Sequence, residues 1–407
     1  HLFNPKKAAR SCRADCRVSS RGTVSAVLRR FLPAFLKTKP PLSPAQHRAL
    51  WALTHCRTAA LGGSRFDCKP CGRQHFAFHS CNHKACPLCG SAANVKWVQR
   101  EQRKLVNAAY FLVTFTLPAE LRCLFFGPQA KEVYDLFFAA VAGALSEKLA
   151  TAKGLRAISN GFTAVLHTWN QQLGFHPHIH CLVPGVGLNA RGQLVRGKDS
   201  QFLVYLPHLQ AAFRQHLFRL LKQHNWPVDP SVWDKDWGVH IQPAGAGRSA
   251  LKYLGAYVAR TAINDARLVA VTDQTVTFRW KNRKENRRET STITGEEFVA
   301  RYLRHVLPRG LRSIRYYGFC HPAAKANRMR VQFHTGLAVE FGAAPPAAPL
   351  ASQPPVCAGC GKPMHLVLRL IAAYKERGPP APEVATPQPQ TTPCLLYTSD
   401  AADERSS

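Results

Sequence analysis

The chain has 407 residues, with 55 lysines and arginines against 23 acids, a formal charge of +32 and an isoelectric point near 10.1. Such a length can bury a full core and carry more than one domain. The charge argues against an enzyme for small neutral substrates and for a polyanion binder, since each Lys or Arg set on a phosphate releases condensed counterions.

No stretch approaches the roughly 20 uninterrupted apolar residues that span a bilayer, so no membrane partner is expected. The chain opens at His1 with neither an initiator Met nor an apolar signal segment, which reads as a truncated start. Most of the fourteen cysteines gather in and around C-x-x-C pairs. In a reducing cytoplasm that pattern means metal binding rather than disulfides.

Taken in chain order, residues 1–45 read as a basic, poorly ordered arm with one amphipathic helix at 26–36. Residues 46–100 hold a dense set of cysteines and histidines and form a second unit. A larger domain follows over 105–320. A helix at 95–106 leads into its first strand at 110–117, which Pro118 ends, and residues 118–160 look helical. Strands are expected at 161–169, 176–184 and 237–242, and a helix at 250–266. A strand pair at 275–280 and 289–293 precedes a helix at 295–307, which Pro308 stops. Strands and helices mixed without regular βα repetition predict an α+β domain with an antiparallel sheet. Residues 340–407 read as a Pro/Ala-rich tail. It contains a lone C-x-x-C, Cys357 and Cys360, whose partners the sequence does not name, and an apolar helix at 365–374. The last stretch, 394–407, matches nothing before it in character and is left out of the functional reading.

Cys68-Lys69-Pro70-Cys71-Gly72 and Cys86-Pro87-Leu88-Cys89-Gly90 are two C-x-x-C-G knuckles separated by fourteen residues. Four thiolates at that spacing predict a tetrahedral zinc, structural because no coordination position stays open. Cys56 and Cys81, with His55, His75, His79 and His83 nearby, supply enough donors for a second ion.

The segment His176-Pro177-His178-Ile179-His180 alternates imidazole with apolar residues. On a strand, His178 and His180 then share one face while Ile179 enters the core. If residues 170–175 form the hairpin loop, His167 falls directly opposite His178. Three imidazoles leave open positions for water and a phosphate oxygen, as a catalytic divalent cation needs. Imidazole suits Mn²⁺, while Mg²⁺ is favoured by availability. His176 shares the face but is expected near the rim.

Tyr253 and Tyr257, in Lys252-Tyr253-Leu254-Gly255-Ala256-Tyr257-Val258-Ala259-Arg260, stand four apart and are neighbours on one helical face. In isolation such a pair is a packing feature. Beside a histidine strand in a basic chain, it reads as a pair of nucleophiles, with Lys252 and Arg260 as DNA contacts. A tyrosine that attacks a phosphodiester keeps the bond energy as phosphotyrosine, so the strand can be rejoined without ATP.

From about Cys56 to Gly318 the chain resembles the two-tyrosine HUH transposases of the insertion-sequence-91 family. The resemblance rests on Cys56-Arg57-Thr58-Ala59-Ala60-Leu61-Gly62-Gly63, the Cys86–Cys89 knuckle and Phe115-Thr116-Leu117-Pro118. It continues through the histidine strand and the tyrosine helix to Glu297-Phe298, His305-Val306-Leu307-Pro308-Arg309-Gly310 and Arg315-Tyr316-Tyr317-Gly318. It implies a ferredoxin-like HUH nuclease sheet behind a small cysteine-rich zinc module. It also implies rolling-circle-like transposition on single-stranded DNA at transposon ends and target, through a 5′-phosphotyrosine. His178 and His180 carry over as metal ligands and Tyr253 and Tyr257 as nucleophiles; His167 rests on strand pairing alone. One departure is Ala85, which stands before the second knuckle where the family usually has histidine. A replication initiator or relaxase-type nickase shares this chemistry, and a non-catalytic zinc DNA-binding regulator is the alternative of another class. The absence of a G-x-x-x-x-G-K-[ST] loop means that no helicase is encoded in this stretch.

Overall fold

The computed structural model describes residues 22–38, 41–152, 155–197, 199–235, 237–258, 261–282, 285–336 and 354–372. Residues 1–21 and 373–407 therefore lie outside the described residues, as do the expected disordered stretch 378–393 and the segment 394–407.

The N-terminal part opens with α1 (Val24–Lys37), whose cap Thr23 accepts from the Ala26 amide. Next comes α2 (Pro44–His55), started by a Ser43/Gln46 capping box with Pro44 in the first turn. The amphipathic helix expected at 26–36 is thus present and spans 24–37. Val24, Val27, Leu28, Phe31 and Phe35 lie on one apolar stripe, and they bury it against Phe278, Phe298, Val299 and Tyr302. A hairpin of β1 (Gly63–Asp67) and β2 (Gln74–Phe78) leads to α3 (Pro87–Gln102).

The larger domain then runs β3 (Ala109–Thr116), α4 (Ala130–Thr151), β4 (Gly161–Trp169), β5 (Phe175–Pro184), β6 (Val186–Leu188), β7 (Leu194–Arg196), α5 (Leu206–Gln223), β8 (Val239–Ala246) and α6 (Gly247–Val258). It continues with β9 (Leu268–Val271), β10 (Thr275–Asn282), β11 (Arg287–Thr294), α7 (Gly295–Arg304), β12 (Ile314–Gly318) and α8 (Lys325–His334), and β13 (His365–Leu370) closes the described chain. Its centre is a five-stranded sheet in the order β12-β4-β5-β3-β8, antiparallel throughout. The fold is α+β, as the mixed pattern predicts.

Strand alternation sends the two sets of side chains into different cores. Phe111, Val113, Phe115, Leu166, Ile179, Cys181 and Val183 meet Phe137, Phe138 and Val141 of α4 and Phe213 and Leu217 of α5. On the opposite face Tyr110, Leu112, Val165 and Leu182 meet Leu251 and Leu254 of α6 and Trp97 of α3. The histidines 167, 178 and 180 have the same parity as this second set.

Several elements depart from expectation. Residues 365–370 form a strand paired with β1, not the start of a helix over 365–374. A six-residue apolar run is too short for periodicity to decide between the two, and an open strand edge decided it here. The helix expected over 250–266 is described as Gly247–Val258; residues 259 and 260 lie outside the described residues, and residues 265–267 make a 3₁₀ turn that feeds β9. The strand expected at 237–242 is shifted to Val239–Ala246, and α5 had no counterpart in the sequence reading. Among the described residues no helix is long and apolar enough to cross a membrane.

Candidate active site and metal centres

The β4–β5 hairpin has the register that its loop length implies, with His167 opposite His178 and Val165 opposite His180. Asn170 ties the loop by accepting from the amides of Gln172 at 3.0 Å and Gly174 at 2.7 Å. Leu173 takes a left-handed φ of 65° there. The ring centroids lie 5.3 Å apart for His167–His178, 4.9 Å for His167–His180 and 4.8 Å for His178–His180. One nitrogen from each ring lies within 4.8 Å of the others. His167 and His180 are buried and His178 is half-buried, so the cluster is sunk in the sheet but opens on one side.

The far side of each ring is oriented by the protein. The Nδ1–H of His178 donates to the carbonyl of His176 at 2.8 Å, which leaves Nε2 as its ligand atom. His180 Nδ1 meets Thr114 Oγ1 at 2.9 Å, directly across the β3–β5 ladder. His167 stacks on Trp169 at 4.9 Å, and Trp169 in turn meets the edge of His305 at 6.0 Å. Burial pushes the His305 imidazole down to about 4, so it is neutral at physiological pH. With Leu173 O accepting from Nε2–H, its Nδ1 receives the Thr168 hydroxyl. Histidine ligands of a divalent cation are aimed by hydrogen bonds to their outer nitrogens, as those of His178 and His180 are here. The donor set therefore fits a catalytic cation.

His176, expected near the rim, is buried instead, with Arg122 Nη2 at 2.8 Å from its Nδ1. Thr114, Trp169, His305 and Arg122 escaped the sequence reading as site residues. His305 lay within a quoted motif and Trp169 beside His167 on the same strand, but the β3–β5 register that brings Thr114 to His180 has no local signal.

β8 runs directly into α6, which packs over β3, β4 and β5. Leu251 and Leu254 of α6 bury against Val165 and Leu182, each two residues from a cluster histidine on its own strand. The helix carrying positions 253 and 257 therefore lies across the histidine face. The side chains of Lys252, Tyr253 and Tyr257, and the whole of Arg260, lie outside the described residues.

The cysteines sort differently from the spacing argument. Cys56, Cys81, Cys86 and Cys89 form one group, and Cys68, Cys71, Cys357 and Cys360 another. The two knuckles do not share an ion site. Cys68 and Cys71 sit at the tip of the β1–β2 hairpin and Cys56 and Cys81 at its base, about 16 Å apart for five-residue strands. The knuckle of Cys86 and Cys89 starts α3, beside the base. In the base group three of the sulfur pairs are 3.6 to 3.7 Å apart and all four sulfurs lie within 4.8 Å of one another, so four cysteines complete the group without a histidine at Ala85. His83 Nδ1 accepts from the Ala85 amide instead. Hydrogen bonding from Cys81 pulls the Cys86 thiol below its ordinary range.

Known proteins give these geometries a context. Residues 161–328 match a family model described as "Putative transposase", and residues 27–117 match the insertion-sequence-91 model described as "Transposase zinc-binding domain". The chain is 38% identical over 331 residues to "Putative transposase y4qJ" of Sinorhizobium fredii, covering 76% of this chain and 81% of that relative. The chain belongs to the insertion-sequence-91 family of transposases. It is also 26% identical over 296 residues to the "Transposase for insertion sequence element IS801" of Pseudomonas savastanoi pv. phaseolicola, covering 68% and 70% of the two chains. Among solved structures it is similar to TrwC complexed with a 27-mer DNA comprising the recognition hairpin and the cleavage site. That likeness has 11% identity and a TM-score of 0.24 over 56% of this chain and 75% of the other.

The first family model covers the three histidines and α6 of the transposase, and the second covers both cysteine knuckles but neither Cys357 nor Cys360. The contact to His180 gives a direct expectation. Thr114→Val keeps the strand shape but removes the hydroxyl, and should weaken Mn²⁺ binding by about 10- to 100-fold. Manganese titration followed by paramagnetic relaxation would read this, and an unchanged affinity would mean that Thr114 does not orient the ligand.

Proposed function

We propose that this transposase nicks single-stranded DNA by attack of a tyrosine of α6 on a phosphodiester at the His167, His178, His180 cluster. The observation that carries the reading is the seating of α6 across the strands that present these three imidazoles. In the reaction the Tyr253 or Tyr257 hydroxyl oxygen forms a bond to phosphorus, and the bond from phosphorus to the 3′ oxygen breaks. The 5′ phosphate stays on the tyrosine, and the 3′ oxygen leaves as a hydroxyl after taking up a proton. A bound Mn²⁺ or Mg²⁺ would supply polarisation of the scissile phosphate and stabilise charge on the leaving oxygen. The protein's own part is orientation: Thr114 and the His176 carbonyl aim two imidazoles, and Trp169 backs the third. Lys252 and Arg260 flank the tyrosines in sequence and are assigned to backbone phosphates.

The zinc module belongs to the same apparatus in this reading. α3, whose first turn holds Cys86 and Cys89, packs against α6. Within it Trp97 donates to the Tyr316 hydroxyl at 3.0 Å, and that hydroxyl donates to Glu101 at 2.9 Å. A module that grips DNA thus bears directly on the helix that cuts it. The transfer of the held 5′ end to a second strand completes rolling-circle-like transposition.

The test is a nicking assay on single-stranded oligonucleotides copied from the DNA flanking the gene, with Mn²⁺. The expected products are a free 3′ hydroxyl and a protein-linked 5′ fragment. Tight binding with no cleavage under any divalent ion would favour a non-catalytic zinc regulator and overturn the reading.

A further inference from the structure

The cysteines at 357 and 360 stand beyond both matched family regions, yet they lie against the hairpin tip. Cys68 Sγ is 3.3 Å from Cys360 Sγ, and Cys71 Sγ is 3.4 Å from Cys357 Sγ. These separations are well beyond the roughly 2.05 Å of a disulfide, and all four sulfurs lie within 4.8 Å of one another. The two halves repeat one backbone design. The Gly72 amide donates to Cys68 O at 2.8 Å, and the Gly361 amide donates to Cys357 O at 2.9 Å. The Cys68 amide donates to Arg73 O at 2.8 Å, and the Cys357 amide donates to Lys362 O at 2.9 Å. Gly72 and Gly361 take left-handed φ values of 68° and 69°. That conformation turns successive amides toward the sulfurs of a knuckle and is open to glycine at no steric cost. In the second half the Gly359 amide donates to Cys357 Sγ at 3.4 Å.

Beyond the knuckles the halves join as neighbouring strands. Phe66 pairs with Leu366 and Asp67 with His365, so β13 adds a third strand to the β1–β2 hairpin. Cys68, Cys357 and Met364 are buried together against Phe66. A core this small cannot secure a three-stranded sheet by apolar burial alone, and metal ligation is the usual remedy.

We propose that Cys68, Cys71, Cys357 and Cys360 bind a second structural zinc, which clasps the C-terminal segment 354–372 onto the N-terminal module. Four thiolates around a tetrahedral ion leave no open position, so the site is structural. The loop that it closes runs from residue 72 to residue 356, but closure entropy grows only slowly with length. The clasp makes the segment after the nuclease domain an integral strand of the zinc module. It does not depend on the tyrosine chemistry proposed above.

The test uses the full chain purified without chelator. Metal analysis should find about two zinc ions per chain. Cys357→Ser with Cys360→Ser should lose one and keep the other, and Cys56→Ser with Cys81→Ser should lose the complementary one. Retention of both zincs by the Cys357/Cys360 variant, or a single zinc in the unaltered chain, would overturn the proposal. A second measurement does not depend on those variants folding. A protease site is inserted between Gly336 and Pro354 and cut in the folded, zinc-loaded protein. The C-terminal piece should co-elute with the remainder until a chelator strips zinc, then separate. Separation with zinc still bound, or co-elution after both ions are gone, would show that zinc is not the clasp.

Discussion

His180→Ala should lower single-strand nicking by about 10³-fold or more while oligonucleotide binding stays nearly unchanged. The imidazole is buried, is held by Thr114, and shares a face with two other rings whose nitrogens lie within 4.8 Å of its own. Deleting it leaves two donors, and water entering the gap does not restore the charge stabilisation at the scissile phosphate. Affinity for DNA, by contrast, comes from lysine and arginine spread over a chain of charge +32. His178→Ala should behave the same way, and His167→Ala should show a loss of similar size. Undiminished nicking by His178→Ala or His180→Ala would remove the metal site from the mechanism.

The tyrosine variants should divide the reaction in two. Positions 253 and 257 are one helical turn apart on α6 and differ by about 6 Å along its axis. A single metal site can then serve one hydroxyl at a time. One residue would hold the donor 5′ end while the other cuts the next strand. Tyr253→Phe and Tyr257→Phe keep ring packing and remove only the nucleophile, so they should differ in single-turnover nicking. Each alone should still block complete transposition, measured as strand-transfer product from paired transposon ends. Full strand transfer by either variant would show that one tyrosine suffices for both steps.

The parts of this molecule that were legible in its sequence are those with short-range causes. A tight loop at 170–175 sets the pairing of its two strands, so the sequence alone places His167 opposite His178. The alternation of His178, Ile179 and His180 likewise announced a strand with one polar face. What stayed hidden depends on distant partners. Cys68 and Cys71 look equally ready for the knuckle at Cys86 and for the one at Cys357, and fourteen intervening residues favour the nearer. The five-residue strands of the β1–β2 hairpin hold the tip away from the base, and the far knuckle arrives instead through strand pairing at β13. The same pairing made a strand of residues 365–370, whose own pattern suits a helix equally well. Thr114 joined the site through the β3–β5 register, which no local signal encodes, whereas Trp169 lies two residues from His167 on the same strand, where alternation alone places it.

The most direct measurement of the central claim is to incubate the transposase with a single-stranded oligonucleotide from the flanking DNA and Mn²⁺. The covalent adduct is then digested and the linked peptide sequenced by mass spectrometry. The account predicts a 5′-phosphonucleotide on Tyr253 or Tyr257, and no adduct when both are phenylalanine. A nucleotide mapped to any other residue, or an adduct that survives the double substitution, would contradict it and leave α6 as a packing element.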